Sequence, residues 1–108
     1  MAEAKPEIKN IVEKYRQQLA GLGVRAERIY LYGSYAKGMA REGSDIDLIV
    51  ISQDFSSRNV RERLEVLGVA AARLLTPIQA LGYTPEEIVA GAYSPFLEEV
   101  LSSEAIAM

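Results

Sequence analysis

Ile8, Ile11, Val12, Tyr15, Leu19 and Leu22 recur at helical spacing, while Lys9, Glu13, Lys14, Arg16 and Gln17 fill the other face. The spacing predicts an amphipathic helix that starts near Pro6 and stops at Gly21 or Gly23. The period then changes. Arg28 to Tyr32 is β-branched and aromatic and halts at Gly33, which reads as a short strand. Ser34 to Ala40 has room for one or two helical turns, and Arg41-Glu42-Gly43-Ser44 is a turn. Asp45 to Ile51 ends in an unbroken apolar run, the pattern of a central strand covered on both faces.

Ser56 or Ser57 is positioned to cap a second long helix, with Val60, Leu64, Leu67, Ala71, Leu74 and Leu75 as its apolar stripe. A third strand spans roughly Ile78 to Tyr83. Thr84-Pro85-Glu86-Glu87 has the form of a capping box with proline at the first helical position. Ser94-Pro95 repeats that signal before a last helix running to about Ser102. The element order predicts an α/β (α+β) domain: a small mixed three-stranded sheet packed by helices.

The length of 108 residues fits one domain, residues 1–108, with a single modest core. An apolar share of 49% and a charged share of 25% exclude general disorder. A net charge of −3 gives no sign of broad nucleic-acid binding, which shows as a basic excess. The chain has no Cys and no His. Disulfides, thiolate metal sites, thiol nucleophiles and imidazole catalysis are therefore excluded, and a metal must bind through oxygen, which favours Mg²⁺. Residues 1–6 lack the apolar core of a signal peptide, and no window approaches the ~20 apolar residues of a membrane span. The expected location is cytoplasmic.

The chemistry concentrates between Leu31 and Leu48. Asp45 and Asp47 stand two apart on a strand, so period two puts both carboxylates on one face. Like charges held that close raise each other's pKa and destabilise the fold unless a cation lies between them. Mg²⁺ suits such a pair, because it takes one or two carboxylates and then phosphate oxygens and water. Gly33-Ser34 follows the first strand. Glycine permits close backbone approach, N–H groups at a helix start attract anions, and Ser34 adds a hydroxyl. Lys37 and Arg41 bring positive charge to the same segment. Singly, Gly-Ser is a common turn, Asp-x-Asp a common strand end, and the two cations ordinary surface charges. Jointly, anion donors face carboxylates for a cation, which matches a metal-bound nucleoside triphosphate.

Gly33-Ser34, ten intervening residues and Asp45-x-Asp47, followed by an apolar strand, resemble the minimal nucleotidyltransferases of the DNA polymerase β-like superfamily. The resemblance extends in element order over nearly the whole chain. It implies that Asp45 and Asp47 hold Mg²⁺, that Ser34 contacts the triphosphate, and that a nucleoside monophosphate passes from ATP or another NTP to an acceptor hydroxyl; Gly33, Lys37 and Arg41 join Ser34 on the nucleotide-binding side by the residue reading above. It implies further a HEPN-type toxin as protein partner, with a tyrosine as acceptor, or else a homodimer. Active members bring a third acidic residue from the next core strand, often as Pro-Ile-Asp; this chain reads Pro77-Ile78-Gln79. A neutral amide offers an oxygen but no base. Three readings follow: a protein-modifying nucleotidyltransferase, a non-catalytic nucleotide-binding or partner-neutralising module of the same fold, and a small-molecule nucleotidyltransferase. The missing acceptor-binding domain weighs against the last.

Overall fold

The computed structural model describes residues 4–91, 95–103 and 105–108. Helix α1 (Pro6–Gly21) opens with Pro6 at its first turn and buries Ile8, Val12, Tyr15 and Leu19. It ends where Gly23 takes φ +91°, with Val24 N donating to Leu19 O at 2.9 Å and Gly23 N to Ala20 O at 3.1 Å. This pair of bonds is a Schellman closure, which favours glycine at the left-handed position. Strand β1 (Arg28–Tyr32) leads into a single 3₁₀ turn (Gly33–Tyr35) and then to strand β2 (Ile46–Ile51). After β2 come a 3₁₀ turn (Gln53–Ser57), α2 (Val60–Arg73), β3 (Ile78–Tyr83), α3 (Pro85–Val89), α4 (Pro95–Ser103) and β4 (Ile106–Ala107).

The sheet order is β3-β2-β1-β4. β1 runs antiparallel to β2 and to β4, and β2 runs parallel to β3. Alternation along β2 divides the core. Ile46, Leu48 and Val50 join Ile29 and Leu31 against α1 and α2. Ile49 and Ile51 face the other way, toward Leu97 and Val100 of α4, with Tyr30, Tyr32 and Tyr83 packed around them. The three tyrosines therefore pack against this layer, and Leu97 docks α4 on the sheet.

The sheet has four strands rather than three. Ile106–Ala107 pairs with Leu31 and Tyr30, and Met108 N donates to Ile29 O at 2.8 Å. A two-residue strand carries no alternation to read. The expected cap of the second helix also moves. Ser56 and Ser57 lie in the 3₁₀ turn, and Asn59 accepts from Glu62 N while Glu62 returns the bond to Asn59 N, each at 2.9 Å. The apolar stripe of α2 is rotated from the expected one. Leu67 and Ala71 are buried, but with Val66 and Ala70; Val60 and Leu64 point outward, as does Leu75 just after the helix. Arg63 takes an inner position instead, 2.7 Å from Glu87 and 5.7 Å from the Phe55 ring centroid. The segment after Gly33 makes one 3₁₀ turn, Gly33–Tyr35, and Gly38 further on takes φ +71°. The Ser94 cap lies outside the described residues.

Local satisfaction fixes the remaining polar groups. Tyr15 is fully buried, its hydroxyl donates to Leu67 O at 2.8 Å, and burial pushes its pKa well up, so it stays neutral. Asp54 accepts from Arg25 N at 2.8 Å, a structural use. Thr84 and Glu87 form the expected capping box. Burial raises the Glu87 pKa, but hydrogen bonds from Arg63 and Thr84 outweigh it and hold the carboxyl below its usual range.

Gly82 lets β3 lie flat on the Phe55 ring: a Cβ there would come within 2.8 Å of two ring carbons. Phe55 is fully buried, so neither side has room to yield. Gly82→Ala is expected to destabilise by about 1–3 kcal/mol, the range for overpacking. Urea unfolding checks this, and Phe55→Leu in the same chain should recover part of the loss.

Candidate functional site

Two strand ends and one turn build the site. Residues 41–44 form a closed turn in which Ser44 N donates to Arg41 O and Ser44 Oγ accepts from Arg41 N, both at 2.9 Å. The turn delivers Asp45 to the threshold of β2, and Asp47 follows two residues later on the same face as Ile49 and Ile51. The apolar residues of β2 bury the strand, so the two carboxylates sit at the rim of a dry sheet.

Asp47 pairs in register with Tyr32 on β1 and with Gln79 on β3. Tyr32 immediately precedes Gly33, so the end of β1 carries the Gly33-Ser34 turn to the Asp47 side chain. Gly33 has φ +72°, a left-handed conformation natural to glycine. A Cβ on Gly33 would overlap Asp47 Oδ2 and lie 3.2 Å from Asp47 Cγ. The turn and the carboxylate thus touch, and only the absence of a side chain allows it.

Gln79 completes the group. Its Nε2 donates to Asp45 Oδ2 at 2.7 Å. The amide satisfies one carboxylate oxygen and leaves the rest for other partners. Burial raises the Asp47 pKa, and the negative charge of Asp45 raises it further. Among the described residues no cluster of three carboxylate, thiol or imidazole ligands exists. Two hard oxygen donors on one face, with a charge conflict that a cation relieves, fit Mg²⁺ with its remaining positions left to phosphate and water.

The structure thus brings Asp45, Asp47, Gly33 and Gln79 together, with Ser34 next along the same turn. Lys37 follows that turn, and its N–H donates to Gly33 O at 3.1 Å. Arg41 lines a separate groove with Lys5, Ile8 and Tyr35, and no described contact joins its side chain to the carboxylates. Gln79 lies beside the pair, where the resemblance puts the third acidic position; its direct bond to Asp45 had no sequence signal beyond that, and the Gly33–Asp47 contact had none beyond glycine at a strand end.

Gly33→Ala tests the contact. The variant forces Asp47 aside and adds left-handed strain of about 1–2 kcal/mol. The expected result is a lower melting temperature together with a loss of Mg²⁺-dependent nucleotide affinity, read by calorimetry. Gly43→Ala (φ +87°, with nothing within 4 Å of its Cβ) should show the strain alone.

The first strand of this mixed sheet thus ends in a glycine turn set against an aspartate pair at the start of the second. The chain belongs to the nucleotidyltransferase domain family, which matches it over residues 6–103. No curated protein matches it in sequence. Among solved structures it resembles a toxin–antitoxin crystallised with AMP-PNP, at 20% identity and TM-score 0.61, covering 92% of this chain and 69% of that one. It also resembles a Shewanella oneidensis complex of a tri-AMPylated HEPN toxin with an MNT antitoxin, at 18% identity and TM-score 0.56, covering 92% and 66%. A Sulfolobus solfataricus protein assigned as a nucleotidyltransferase matches at 17% identity and TM-score 0.57, covering 99% and 89%. At these identities the likeness is one of fold, and it agrees with the α+β architecture expected from the sequence.

Proposed function

We propose that the protein binds ATP as its magnesium complex on Asp45, Asp47 and the Gly33-Ser34 turn, and transfers AMP to a hydroxyl of a HEPN-type protein partner. The observation that carries this reading is the contact of Gly33 with Asp47, which sets the Gly33-Ser34 turn directly against one of the paired carboxylates. Family membership supplies the reaction class, and the toxin–antitoxin neighbours supply the kind of partner. Residues 1–108 act as one domain working in the cytoplasm, where ATP and Mg²⁺ are at hand, and the partner provides the acceptor surface. No helix among the described residues is long and apolar enough to cross a membrane.

Asp45 and Asp47 would hold the cation, which neutralises charge on the triphosphate. Ser34 offers its hydroxyl to a phosphate oxygen, and Lys37 and Arg41 add positive charge along the loop. In the transfer, the acceptor oxygen bonds to the α-phosphorus and the bond to the α–β bridging oxygen breaks. Pyrophosphate leaves, and the acceptor proton passes to water. Incubation with α-labelled ATP, Mg²⁺ and a purified HEPN-type protein should place label on a partner tyrosine, located by mass spectrometry. Label that appears equally in EDTA, or equally without this chain, would refute the reading.

A second reading rests on Gln79. Its amide donates to Asp45 where a carboxylate would add a base and a ligand. On that reading the protein binds Mg-ATP and its partner but transfers slowly or not at all. Nucleotide binding with no covalent label favours it.

A further inference from the structure

Tyr32, Asp47 and Gln79 form one row across β1, β2 and β3. Directly opposed residues of an antiparallel pair project to the same face, with Cβ atoms about 4.5–5.5 Å apart. The Tyr32 phenol therefore rises beside the Asp47 carboxylate, from the residue that immediately precedes the Gly33-Ser34 turn. A phenol extends further from its strand than a carboxylate does, so its hydroxyl is set for the level at which a cation and a phosphate would stand. Tyr32 is half-buried and packs on the layer formed by Ile49, Ile51 and Leu97. It also lines, with Gln79 and Leu81, an open groove of about 340 Å³. The ring is thus held by its packing and reached through the groove.

The other tyrosines among the described residues each lack one of these conditions. Tyr15 is fully buried, and its hydroxyl donates to Leu67 O. Tyr30 shares the face of Tyr32 but pairs with Ile49 and lines a different pocket, with Ile88 and Leu101. Tyr83 pairs with Ile51 at the far end of β3. Tyr35 closes the turn and lines the groove of Lys5 and Arg41. Register, face and groove together select one phenol.

We infer that Tyr32 is an acceptor of AMP within the chain itself. The inference rests on the transfer reading proposed above and adds a second acceptor to it. Tyr32 Oη bonds to the α-phosphorus of ATP, and the bond to the α–β bridging oxygen breaks. Pyrophosphate leaves, and the phenol proton passes to water. An acceptor on the same sheet as the cation needs no encounter step. The product, a tyrosyl phosphodiester of adenosine, stays on the carboxylate face. It obstructs a second ATP, so modification stops at one AMP per chain and slows transfer to a partner.

Wild type and Gln79→Asp are incubated as full chains with α-labelled ATP and Mg²⁺, with and without a purified HEPN-type protein, then digested with trypsin. Cleavage after Arg28 and Lys37 leaves Tyr30, Tyr32 and Tyr35 on one peptide, so fragment ions assign the adduct. AMP should appear on Tyr32. It should be absent in EDTA and in Tyr32→Phe, while Tyr30→Phe retains it. Diluting the protein about tenfold should leave the rate per chain unchanged, as transfer within one molecule requires. Gln79→Asp should raise that rate by about 10²–10⁴-fold, the worth of a general base. Label on the HEPN-type protein with none on this chain overturns the inference and leaves the transfer reading standing. Label on neither protein overturns both. An adduct on a residue other than Tyr32, or a rate per chain that falls with dilution, also overturns the inference.

Discussion

Asn in place of both Asp45 and Asp47 is expected to remove Mg²⁺-dependent ATP binding, lowering affinity by about 10²–10⁴-fold. The size follows from losing two charge-assisted contacts worth roughly 1.5–3 kcal/mol each, at 1.4 kcal/mol per tenfold. The carboxylates share one face at the start of β2, and the Gly33 turn touches Asp47, so cation and phosphate sites fail together. Calorimetry with and without EDTA reads the effect. Equal affinity in EDTA, or in the double variant, would remove the site.

The same substitution carries a pH signature. Burial first, and Asp45 second, hold the Asp47 pKa above the ordinary aspartate value. The folded state therefore binds more protons than the unfolded one between the unfolded pKa and the raised folded pKa. Metal-free stability falls as pH rises through that window, and the loss stays in place above it. At pH 7 without metal the double variant should thus melt higher than wild type, apart from what Asp45 loses with its Gln79 bond. Adding Mg²⁺ should raise the wild-type melting temperature and leave the variant unmoved. Lowering the pH should weaken Mg²⁺ binding earlier than for an unperturbed aspartate. Thermal melts across pH 4–8 on both proteins check all three signs.

The parts of the fold legible in sequence are those whose cause is local. Helix α1 carries its period and its closing glycine in consecutive residues, and Thr84-Pro85-Glu86-Glu87 writes its own cap. The orientation of α2 was not legible, because leucine, valine and alanine occur on both sides of that helix. Arg63 settles it through Glu87, Gly82 and Phe55, all distant in sequence. β4 is invisible for the same reason: two residues become a strand only when β1 offers an edge. In the site, strand parity alone joined Asp45 to Asp47. Arg41 lines a groove with Lys5, Ile8 and Tyr35, a placement that its four-residue separation from Asp45 does not foretell. Gln79 was placed at the third acidic position by the resemblance alone; the residue-by-residue register of β3 against β2 needed the folded sheet.

Gln79→Asp separates transfer from binding. In wild type, the amide donates to Asp45 Oδ2 at 2.7 Å, and its register partner on β2 is Asp47. An aspartate there replaces a donor with an acceptor: the bond to Asp45 is lost, and a third negative charge joins two others. Without metal the variant should melt lower than wild type by repulsion, and Mg²⁺ should restore more stability to the variant than it adds to wild type. In return the site gains a cation ligand and a group able to take the acceptor proton. General-base assistance is worth about 10²–10⁴-fold in rate. AMP transfer to a HEPN-type acceptor should rise within that range, with nucleotide affinity at saturating Mg²⁺ held or improved. Both proteins are compared at one concentration. Fast wild-type transfer that the variant leaves unchanged would mean that residue 79 takes no part in acceptor activation. A melting temperature in the variant that ignores Mg²⁺ would place residue 79 outside the reach of the cation, despite its bond to Asp45.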